Sequence, residues 1–543
     1  MKLGALIDGL GLTVHGGAAT TDASAVRVCD ITEDSRTALP GSLFIARSGT
    51  KTDGRKFIAA ALDAGAEVVL ADSPPDAALL REHPGTVFLT TADVPRVAAI
   101  LAERYYGNPT SRLKLMGVTG TNGKTTVAHC VHRLLNATKR KCGLIGTVQI
   151  DDGSEVSEAV MTTPPACELS ATFAHMLEAG CVAAAIEVSS HSLHQHRTTA
   201  LNYACAVFTN LTGDHLDYHG TMEHYAAAKA TLFELLPPTA TAIVNVDDPW
   251  HQRMLQDCRA KVLRCSLRGA GGEEQHTGGP PVPPFTVDCR VEAGEPTFAG
   301  TRVRYLGPWG AFEINLSMVG RHNLMNTLQA VAAAWAMGAA GAGAGGVPLD
   351  ELARAATLME APPGRLERVA APERGGASDD FAVFVDYAHT DDALANVLRA
   401  ARPLVRTGSM LRVVFGCGGD RDRTKRPRMA RTCCELADHV TITSDNPRTE
   451  KPSAIIDEIL TGVPAKERSR VDIHADRRQA IFHAVGLCRA GDVLVIAGKG
   501  HETYQLLPDG PPGGGAGSGG IRRIDFDDRI VAREALRTQA VPV

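Results

Sequence analysis

The sequence predicts an α/β protein of three domains built on mostly parallel sheets, with a P-loop-type central domain and a Rossmann-like C-terminal domain. Three observations carry that expectation. The chain has 543 residues, too many for one ordinary hydrophobic core. Short apolar runs end repeatedly in polar loops, with helical periods between them, the alternation that parallel α/β sheets require. Between one such run and one such helical period lies Gly120-Thr121-Asn122-Gly123-Lys124-Thr125-Thr126, so that strand, glycine loop and helix follow in order.

Residues 1–110 form a first region of short strand and helix patterns without a phosphate loop. Arg104–Arg112 is polar, contains Gly107-Asn108-Pro109, and reads as a linker. The second region, 111–358, opens with the apolar run Leu113–Val118. After the glycine loop, Val127, Cys130, Val131, Leu134 and Leu135 recur at the spacing of one buried helix face. Val182–Ile186 then runs into Glu187-Val188-Ser189-Ser190-His191, and Ala242–Val244 into Asn245-Val246-Asp247-Asp248. The third region, 359–543, begins near Ala361-Pro362-Pro363-Gly364. Its apolar runs end at Asp386, at Gly416–Arg421, at Asp445-Asn446-Pro447-Arg448 and at Gly498-Lys499-Gly500-His501-Glu502. Ligands of parallel sheets gather beyond the carboxyl ends of the strands, so these loops are the candidate chemistry. The Gly- and Pro-rich stretches Gly269–Pro284 and Asp509–Gly520 cannot supply a core and read as mobile surface insertions.

Glycines in a strand–loop–helix turn let backbone N–H groups close around phosphate oxygens. Lys124 adds a cation, and Thr125 a hydroxyl that can reach Mg²⁺. The usual spacing puts the first glycine where Val118 stands, so the loop is a variant. The central region is therefore expected to be an ATPase domain using ATP and Mg²⁺.

Composition narrows the partners. A net charge of −5 gives no electrostatic case for nucleic acid or an anionic membrane, and 5% aromatic residues weaken base stacking. The 13 cysteines are scattered, without a Cys-x-x-Cys pair, and read as buried thiols in a reducing cytoplasm. The N-terminal stretch has one lysine and is interrupted by Asp8, unlike a signal peptide. Ala330–Val347 is small and apolar but poor in Leu, Ile and Phe, a helix and loop rather than a membrane span. Oligomeric state is left open.

Gly120–Thr126, Glu187-Val188-Ser189-Ser190-His191, Asn210-Leu211-Thr212-Gly213-Asp214-His215 and Asp386-Tyr387-Ala388-His389-Thr390 occur in that order. With them the chain resembles the Mur ligases, ATP-dependent amide-bond ligases of peptidoglycan synthesis. The resemblance runs from Asp34-Ser35-Arg36 to Phe526-Asp527-Asp528. It implies that UDP-N-acetylmuramoyl-L-alanyl-D-glutamate is activated as an acyl phosphate and attacked by an amine. Phosphoryl transfer depends on positioning and charge neutralisation, which calls for Mg²⁺ on hard oxygen ligands.

What the resemblance implies can be followed residue by residue. Lys124, Glu187, His215 and Lys229 are the expected catalytic set. Thr125, Glu187, His215 and Lys229 hold metal, the lysine as a carbamate. Taken alone, Glu187 could be a solvated strand-end carboxylate and Lys229 a solvated helix lysine. His215 and His219 stand four apart, which invites a zinc reading, but the His-Glu-x-x-His order is missing and His219 reads as structural. Asn326 (in Gly320-Arg321-His322-Asn323-Leu324-Met325-Asn326), Arg365 and Asp386 resemble nucleotide contacts. Capping asparagines, for the first, and a buried ion pair, for the others, are the plain alternatives. Ser35, with Thr50, Lys51 and Thr52 nearby, resembles a UDP contact. Thr162, Thr163, Ser189, Gln195 and Arg197 resemble contacts to the muramoyl-dipeptide, and Arg197 suits a carboxylate.

The loop Asp445, Asn446, Pro447, Arg448 resembles the signature of family members that use meso-2,6-diaminopimelate. Arg448 can bind its distal carboxylate bidentately, Arg421 can add a contact, and Glu502, in the loop opened by Gly498, can accept from the distal ammonium. Lysine lacks that carboxylate, so such a pocket favours diaminopimelate. A related folylpolyglutamate synthase is disfavoured by Asp34-Ser35-Arg36 and the Asp445–Arg448 loop. A nucleotide-binding regulator without turnover is disfavoured by the intact Lys124, Glu187, His215 and Lys229.

Overall fold

The structure, a computed structural model, describes residues 1–16, 23–49, 52–268, 287–294, 297, 300–338, 348–370, 381–509 and 520–538. The stretch Gly269–Pro284, residues 510–519 of the second insertion, and Thr50 and Lys51 lie outside the described residues. The chain divides into two compact units. The first holds Met1–Arg290, Gly307–Trp309 and Leu328–Ala355, and the second Val291–Leu306, Gly310–Thr327 and Ala356–Val543.

The first unit opens with a five-stranded sheet. It consists of β1 (Thr13–Gly16), β2 (Asp30–Thr32), β3 (Ser42–Ile45), β4 (Val68–Ala71) and β5 (Val87–Thr90), in the order β1-β5-β4-β3-β2. Only β1 runs antiparallel to its neighbour. Strands β3 and β4 are buried at every position, as expected of parallel strands covered on both faces. Helix Val94–Tyr105 is capped by Asp93, whose side chain accepts from the Arg96 N–H, and has Pro95 in its first turn. Val97, Ala98, Leu101 and Ala102 of that helix pack with Leu43, Ile45, Val68 and Leu70.

The Arg104–Arg112 segment has a defined local fold, with Gly107, Asn108, Ser111 and Arg112 exposed and Pro109 and Thr110 buried. Gly107 and Asn108 both take positive φ (76° and 53°), turning the chain into a short 3₁₀ turn over Pro109–Ser111. Glu103, 4% exposed, accepts hydrogen bonds from the Thr110 N–H and hydroxyl and from the Ser170 hydroxyl. Thr110 Oγ1 in turn accepts from the Asn202 N–H at 3.0 Å. Thr110 is thus turned inward, where with Ser170 it supplies a buried carboxylate with donors.

The second sheet of this unit contains β6 (Lys114–Thr119), β7 (Cys142–Ile145), β8 (Gln149–Asp151), β9 (Val156–Glu158), β10 (Ala183–Glu187), β11 (Tyr203–Phe208), β12 (Thr241–Asn245), β13 (Lys261–Ser266) and, by its residues Cys289 and Arg290, β14 (Cys289–Ala293). Their order is β14-β13-β12-β11-β6-β10-β7-β8-β9. The pairings from β14 to β7 are parallel, and β7-β8-β9 is an antiparallel meander. Helix Lys124–Ala137 buries Val127, Cys130, Val131, Leu134 and Leu135, the face that the spacing predicts. The small-apolar stretch falls partly on helix Arg321–Gly338, and residues 339–347 lie outside the described residues. Among the described residues, no helix is long and apolar enough to cross a membrane.

In the second unit, β15 (Thr301–Gly307) and β16 (Gly310–Leu316) pair with each other. The main sheet there contains β17 (Glu367–Val369), β18 (Ala382–Asp386), β19 (Leu411–Phe415), β20 (His439–Ile442), β21 (Val471–Ile473) and β22 (Val493–Ala497), in the order β17-β18-β22-β19-β20-β21. All pairings are parallel except β17-β18. Alternate residues go to opposite faces. Phe384, Leu411, Val413 and Val495 join one core with Leu394 and Met429, while Val383, Val414, Leu494 and Ile496 join the other with Ile481 and Val531. A final hairpin, β23 (Tyr504–Asp509) with β24 (Gly520–Asp525), brings the two ends of the second insertion opposite each other.

Candidate functional site

In the first unit the glycine loop leaves β6 and is pinned to the segment after β11. The Thr121 N–H donates to the Asn210 carbonyl at 2.9 Å, and the Asn122 N–H to Asn210 Oδ1 at 3.0 Å. Gly120 is required by space: a Cβ there would lie 1.9 Å from Thr209 Oγ1. Gly123, with φ of 89°, opens helix Lys124–Ala137. Lys124 folds over the loop, its Nζ donating to the carbonyls of Gly120 (2.9 Å) and Thr121 (3.0 Å).

Glu187, the last residue of β10, is 1% exposed rather than solvated. Its Oε2 accepts from Thr125 Oγ1 at 3.0 Å and Thr147 Oγ1 at 3.1 Å, and its Oε1 from the Thr147 N–H at 2.7 Å. Buried carboxylates need such donors. From Thr147 the contacts continue to Thr162 Oγ1 (3.1 Å). Thr163 Oγ1 donates to the Glu187 carbonyl (2.8 Å) and accepts from the Ser189 N–H (3.1 Å). Ser189 caps helix Ser190–His194. Arg197 is half-buried; it donates to the Thr163 carbonyl at 2.7 Å and, through Nε and Nη2, to Gln195 Oε1 at 3.2 and 2.7 Å. Gln195 reaches the Tyr218 hydroxyl at 3.3 Å. The structure thus joins Thr125, Glu187, Thr162, Thr163, Ser189, Gln195 and Arg197 in one hydrogen-bonded chain. Thr147, which completes it, carries no motif and stands 40 residues from Glu187, so sequence spacing does not single it out.

Lys229 is buried as well, at 1% exposure. Its Nζ donates to the Gly120 carbonyl at 2.9 Å and lies 4.6 Å from the centre of the Tyr225 ring. Burial, helped by the charge of Lys124, holds its amine well below the ordinary lysine pKa, with Asp214 opposing. A solvated helix lysine is excluded. His215 has φ of 54°, lies 3.5 Å from Asp214, and stacks edge-on against His191 (4.9 Å) and Tyr225 (6.1 Å). His219 is committed to the Ser190 hydroxyl at 3.0 Å, and burial pushes it down to about 4. Among the described residues no three His, Cys, Asp or Glu side chains are grouped to hold a metal. Ser35 lines a cavity of about 720 Å³ with Thr32, Glu33, Phe57, Tyr106 and Glu168.

The second unit carries the other expected residues. Asn446 is central: its Oδ1 accepts from the Leu506 N–H (3.0 Å) and Lys499 Nζ (3.2 Å), and its Nδ2 donates to Glu502 Oε2 (2.8 Å). Lys499, without exposed side-chain surface, also bonds Glu502 at 2.9 Å. Gly498 leaves room for Asp445, whose Oδ2 would stand 2.4 Å from a Cβ. Pro447 abuts Gly419: its carbonyl would lie 1.9 Å from a Cβ there. Arg448 Nη1 donates to the Gly419 carbonyl at 2.8 Å. A Cβ at Gly418 would meet Arg448 Nη1 at 2.9 Å and Arg421 Cγ at 3.8 Å, so both arginines come to one glycine.

Arg365 lies over the Tyr387 ring at 4.5 Å, and its buried Nε has no hydrogen-bond partner. Asp386 accepts from the N–H groups of Leu366 (2.6 Å) and Ala388 (2.7 Å); burial raises its pKa, with the Arg365 charge opposing. Backbone donors, rather than a direct ion pair, satisfy its oxygens. Asn326 lies inside helix Arg321–Gly338 rather than capping it, because Gly320, with φ of 94°, already forms the boundary. Its Nδ2 bonds Asn323 Oδ1 at 3.2 Å. Two buried arginines are missed by sequence reasoning. Arg477 pairs with Asp528, at 2.6 and 2.8 Å, neither having exposed side-chain surface. It also donates to the carbonyls of Ser444 and Ala497, the residues before Asp445 and Gly498. The other is Arg426, held by Glu450 and Glu458.

Comparison with known proteins gives three family matches along the chain. They are the Mur ligase family, catalytic domain, over residues 28–106; the Mur ligase middle domain, over 118–334; and the Mur ligase, glutamate ligase domain, over 364–500. A UDP-N-acetylmuramoyl-L-alanyl-D-glutamate--2,6-diaminopimelate ligase of Synechococcus sp. (strain WH7803) is 41% identical over 539 residues, covering 98% of this chain and 99% of that protein. The ligase of the same name from Geobacillus thermodenitrificans (strain NG80-2) is 39% identical over 544 residues, covering 99% of each. A solved structure of a ligase so named superposes with a TM-score of 0.65 at 31% identity, covering 94% of this chain and 95% of that one.

Proposed function

The chain belongs to the Mur ligase family, and from that premise we propose that it joins meso-2,6-diaminopimelate to UDP-N-acetylmuramoyl-L-alanyl-D-glutamate, converting ATP to ADP and phosphate, in peptidoglycan synthesis. The observation that carries the reading is the contact between Thr125, at the head of the glycine-loop helix, and the buried Glu187 at the end of β10. It sets a hydroxyl and a carboxylate, both hard oxygen donors, beside a loop whose geometry suits phosphates.

The residues fit ATP and Mg²⁺. The loop is shaped by glycines that no other residue can replace at Gly120, and Lys124 stands over it. Gly120, Thr121, Asn122, Gly123, Lys124, Thr125 and Thr126 would hold the phosphates. Thr125, Glu187 and His215, with Lys229 as a carbamate, would hold Mg²⁺, which when bound neutralises phosphate charge. Asn326, Arg365 and Asp386 are assigned to the nucleoside. On this reading the D-glutamyl carboxylate displaces ADP from the γ-phosphorus, giving an acyl phosphate. The donor amine then attacks the acyl carbon, phosphate leaves, and the amine loses a proton. Lys124 neutralises charge developing on the transferred group. Ser35 is assigned to the UDP moiety, and Thr162, Thr163, Ser189, Gln195 and Arg197 to the muramoyl-dipeptide, Arg197 being the cation for its carboxylate.

The donor amino acid is assigned to Arg421, Asp445, Asn446, Pro447, Arg448, Gly498 and Glu502. The Arg448 guanidinium and the stem of Arg421 both stand beside Gly418, and cations there suit the distal carboxylate that diaminopimelate offers and lysine lacks. A division at 1–110, 111–358 and 359–543 assigns UDP, ATP and amino-acid binding in that order. The 13 free cysteines support a reducing, cytoplasmic setting. Steady-state phosphate release tests the whole reading by omission. Release should require ATP, Mg²⁺, the UDP-linked dipeptide and meso-diaminopimelate together; an undiminished rate without either of the last two would contradict a ligase.

A further inference from the structure

The two loops that carry Arg421 and Arg448 follow β19 and β20, and each contains a strained residue. Asp420 and Arg448 both have φ of 54°, a left-handed conformation that persists in L-residues only where the surroundings enforce it. Direct contacts tie the loops together. The Gly419 N–H donates to the Asn446 carbonyl at 2.9 Å, and Arg448 Nη1 to the Gly419 carbonyl at 2.8 Å. Thr449 donates its N–H (3.1 Å) and hydroxyl (2.7 Å) to the Asp420 carboxylate. The Asp420 N–H donates to Glu450 Oε1 at 2.6 Å.

Arg426, from helix Lys425–Leu436, has no exposed side-chain surface and touches both loops with one guanidinium. Its Nη2 donates to the Gly418 carbonyl (3.2 Å) and Glu450 Oε1 (2.8 Å), and its Nη1 to Glu450 Oε2 (3.0 Å) and Glu458 Oε2 (2.8 Å). A buried ion pair is weak evidence for stability, since apolar side chains often serve as well; its better-attested use is to fix one arrangement among several. Neither residue takes part in the proposed transfer chemistry.

We propose that the Arg426–Glu450 pair is a positioning device for amino-acid selection: it locks the two loops in one register, holding Arg421 and Arg448 together beside Gly418. The proposal rests on the assignment of those arginines to the distal carboxylate. In that register Arg448 Nη1 and the aliphatic stem of Arg421 stand beside Gly418 whether or not an anion is present. A donor with a distal carboxylate gains a charge-assisted contact there that a donor without one lacks.

A double-mutant cycle tests this. Glu450→Gln keeps the shape of the side chain and removes its charge, and Arg426→Lys keeps a cation between the two carboxylates as a second, independent probe. Each is made alone and with Arg448→Ala, and KM for meso-diaminopimelate, KM for ATP, kcat and Tm are measured. Either substitution alone should raise KM for meso-diaminopimelate about tenfold while KM for ATP and kcat stay within about twofold. In the Arg448→Ala background the same substitution should raise KM for meso-diaminopimelate by clearly less than about tenfold, because one of the two arginines it positions is gone. An equal fold-change in both backgrounds, or a parallel rise in KM for ATP, would overturn the positioning role. If Arg448→Ala alone leaves KM for meso-diaminopimelate unchanged, the donor-site assignment itself is what fails.

Discussion

Burial decides what Lys229 can do. An amine with almost no solvent around it, close to Lys124, is neutral at a pH where an ordinary lysine is charged. A neutral amine can add CO₂ and release a proton, turning a cation into an oxygen ligand beside the Gly120 carbonyl. Lys229→Ala should lower kcat at least about a hundredfold, the scale on which losing one electrostatic contributor acts, with partial recovery from small carboxylates. A ¹³C NMR spectrum of the native enzyme equilibrated with ¹³CO₂ checks it: an active enzyme without a carbamate signal that Lys229→Ala removes would contradict the carbamate. Lys124→Ala should lower kcat by about 10²–10³-fold while Tm changes little, as read by turnover beside thermal unfolding. At this scale Lys124, Thr125 and Glu187 are legible in the sequence because their motifs are contiguous. Thr147, Arg426 and Arg477 are not, because what makes them matter is a partner far along the chain: Glu187, Glu450 and Asp528.

Among elements, the strand-end loops carry the residues assigned to the chemistry, and their geometry depends on contacts between loops. Removing one charge-assisted carboxylate contact costs about 1.5–3 kcal/mol, so Arg448→Ala should raise KM for meso-diaminopimelate roughly ten- to a hundredfold and leave that for ATP nearly unchanged. Steady-state kinetics with each substrate varied reads the split. Hydrogen bonding from Arg426 holds the Glu450 carboxyl at about 2, below its ordinary 4.5. A carboxyl depressed in the fold stabilises it above the ordinary pKa, and that contribution fades as pH falls from about 4.5 towards about 2, because the unfolded chain takes up the proton first. Glu450→Gln should therefore flatten the fall of Tm with pH in that window. A Tm–pH profile parallel to the unsubstituted protein's would contradict the linkage. The alternation of apolar runs and polar loops makes β6, β10, β18, β19, β20 and β22 legible in the amino-acid pattern. The contacts of Glu103 with Thr110 and Ser170 are not, since a buried glutamate ringed by donors leaves no periodic trace.

For the whole molecule, local patterns carry the fold class, because each strand, loop and helix writes its own period into the sequence. The first two sheets fall in one compact unit, and the family matches over 28–106 and 118–334 break at the Arg104–Arg112 turn between them. Glu103, Thr110, Ser170 and Asn202 make that join, and their hydrogen bonds span up to 92 residues. On the proposed reading, selection of a donor with a distal carboxylate would set this chain apart from a ligase that adds lysine. It is measured as kcat/KM for meso-diaminopimelate and for L-lysine, in the unsubstituted protein and in Arg448→Ala, with the UDP-linked product identified by mass. A strong preference for meso-diaminopimelate is expected, collapsing in Arg448→Ala through the loss of diaminopimelate activity, with weak lysine activity little changed. An equal ratio in both proteins, or a product bearing lysine in preference, would overturn that selection.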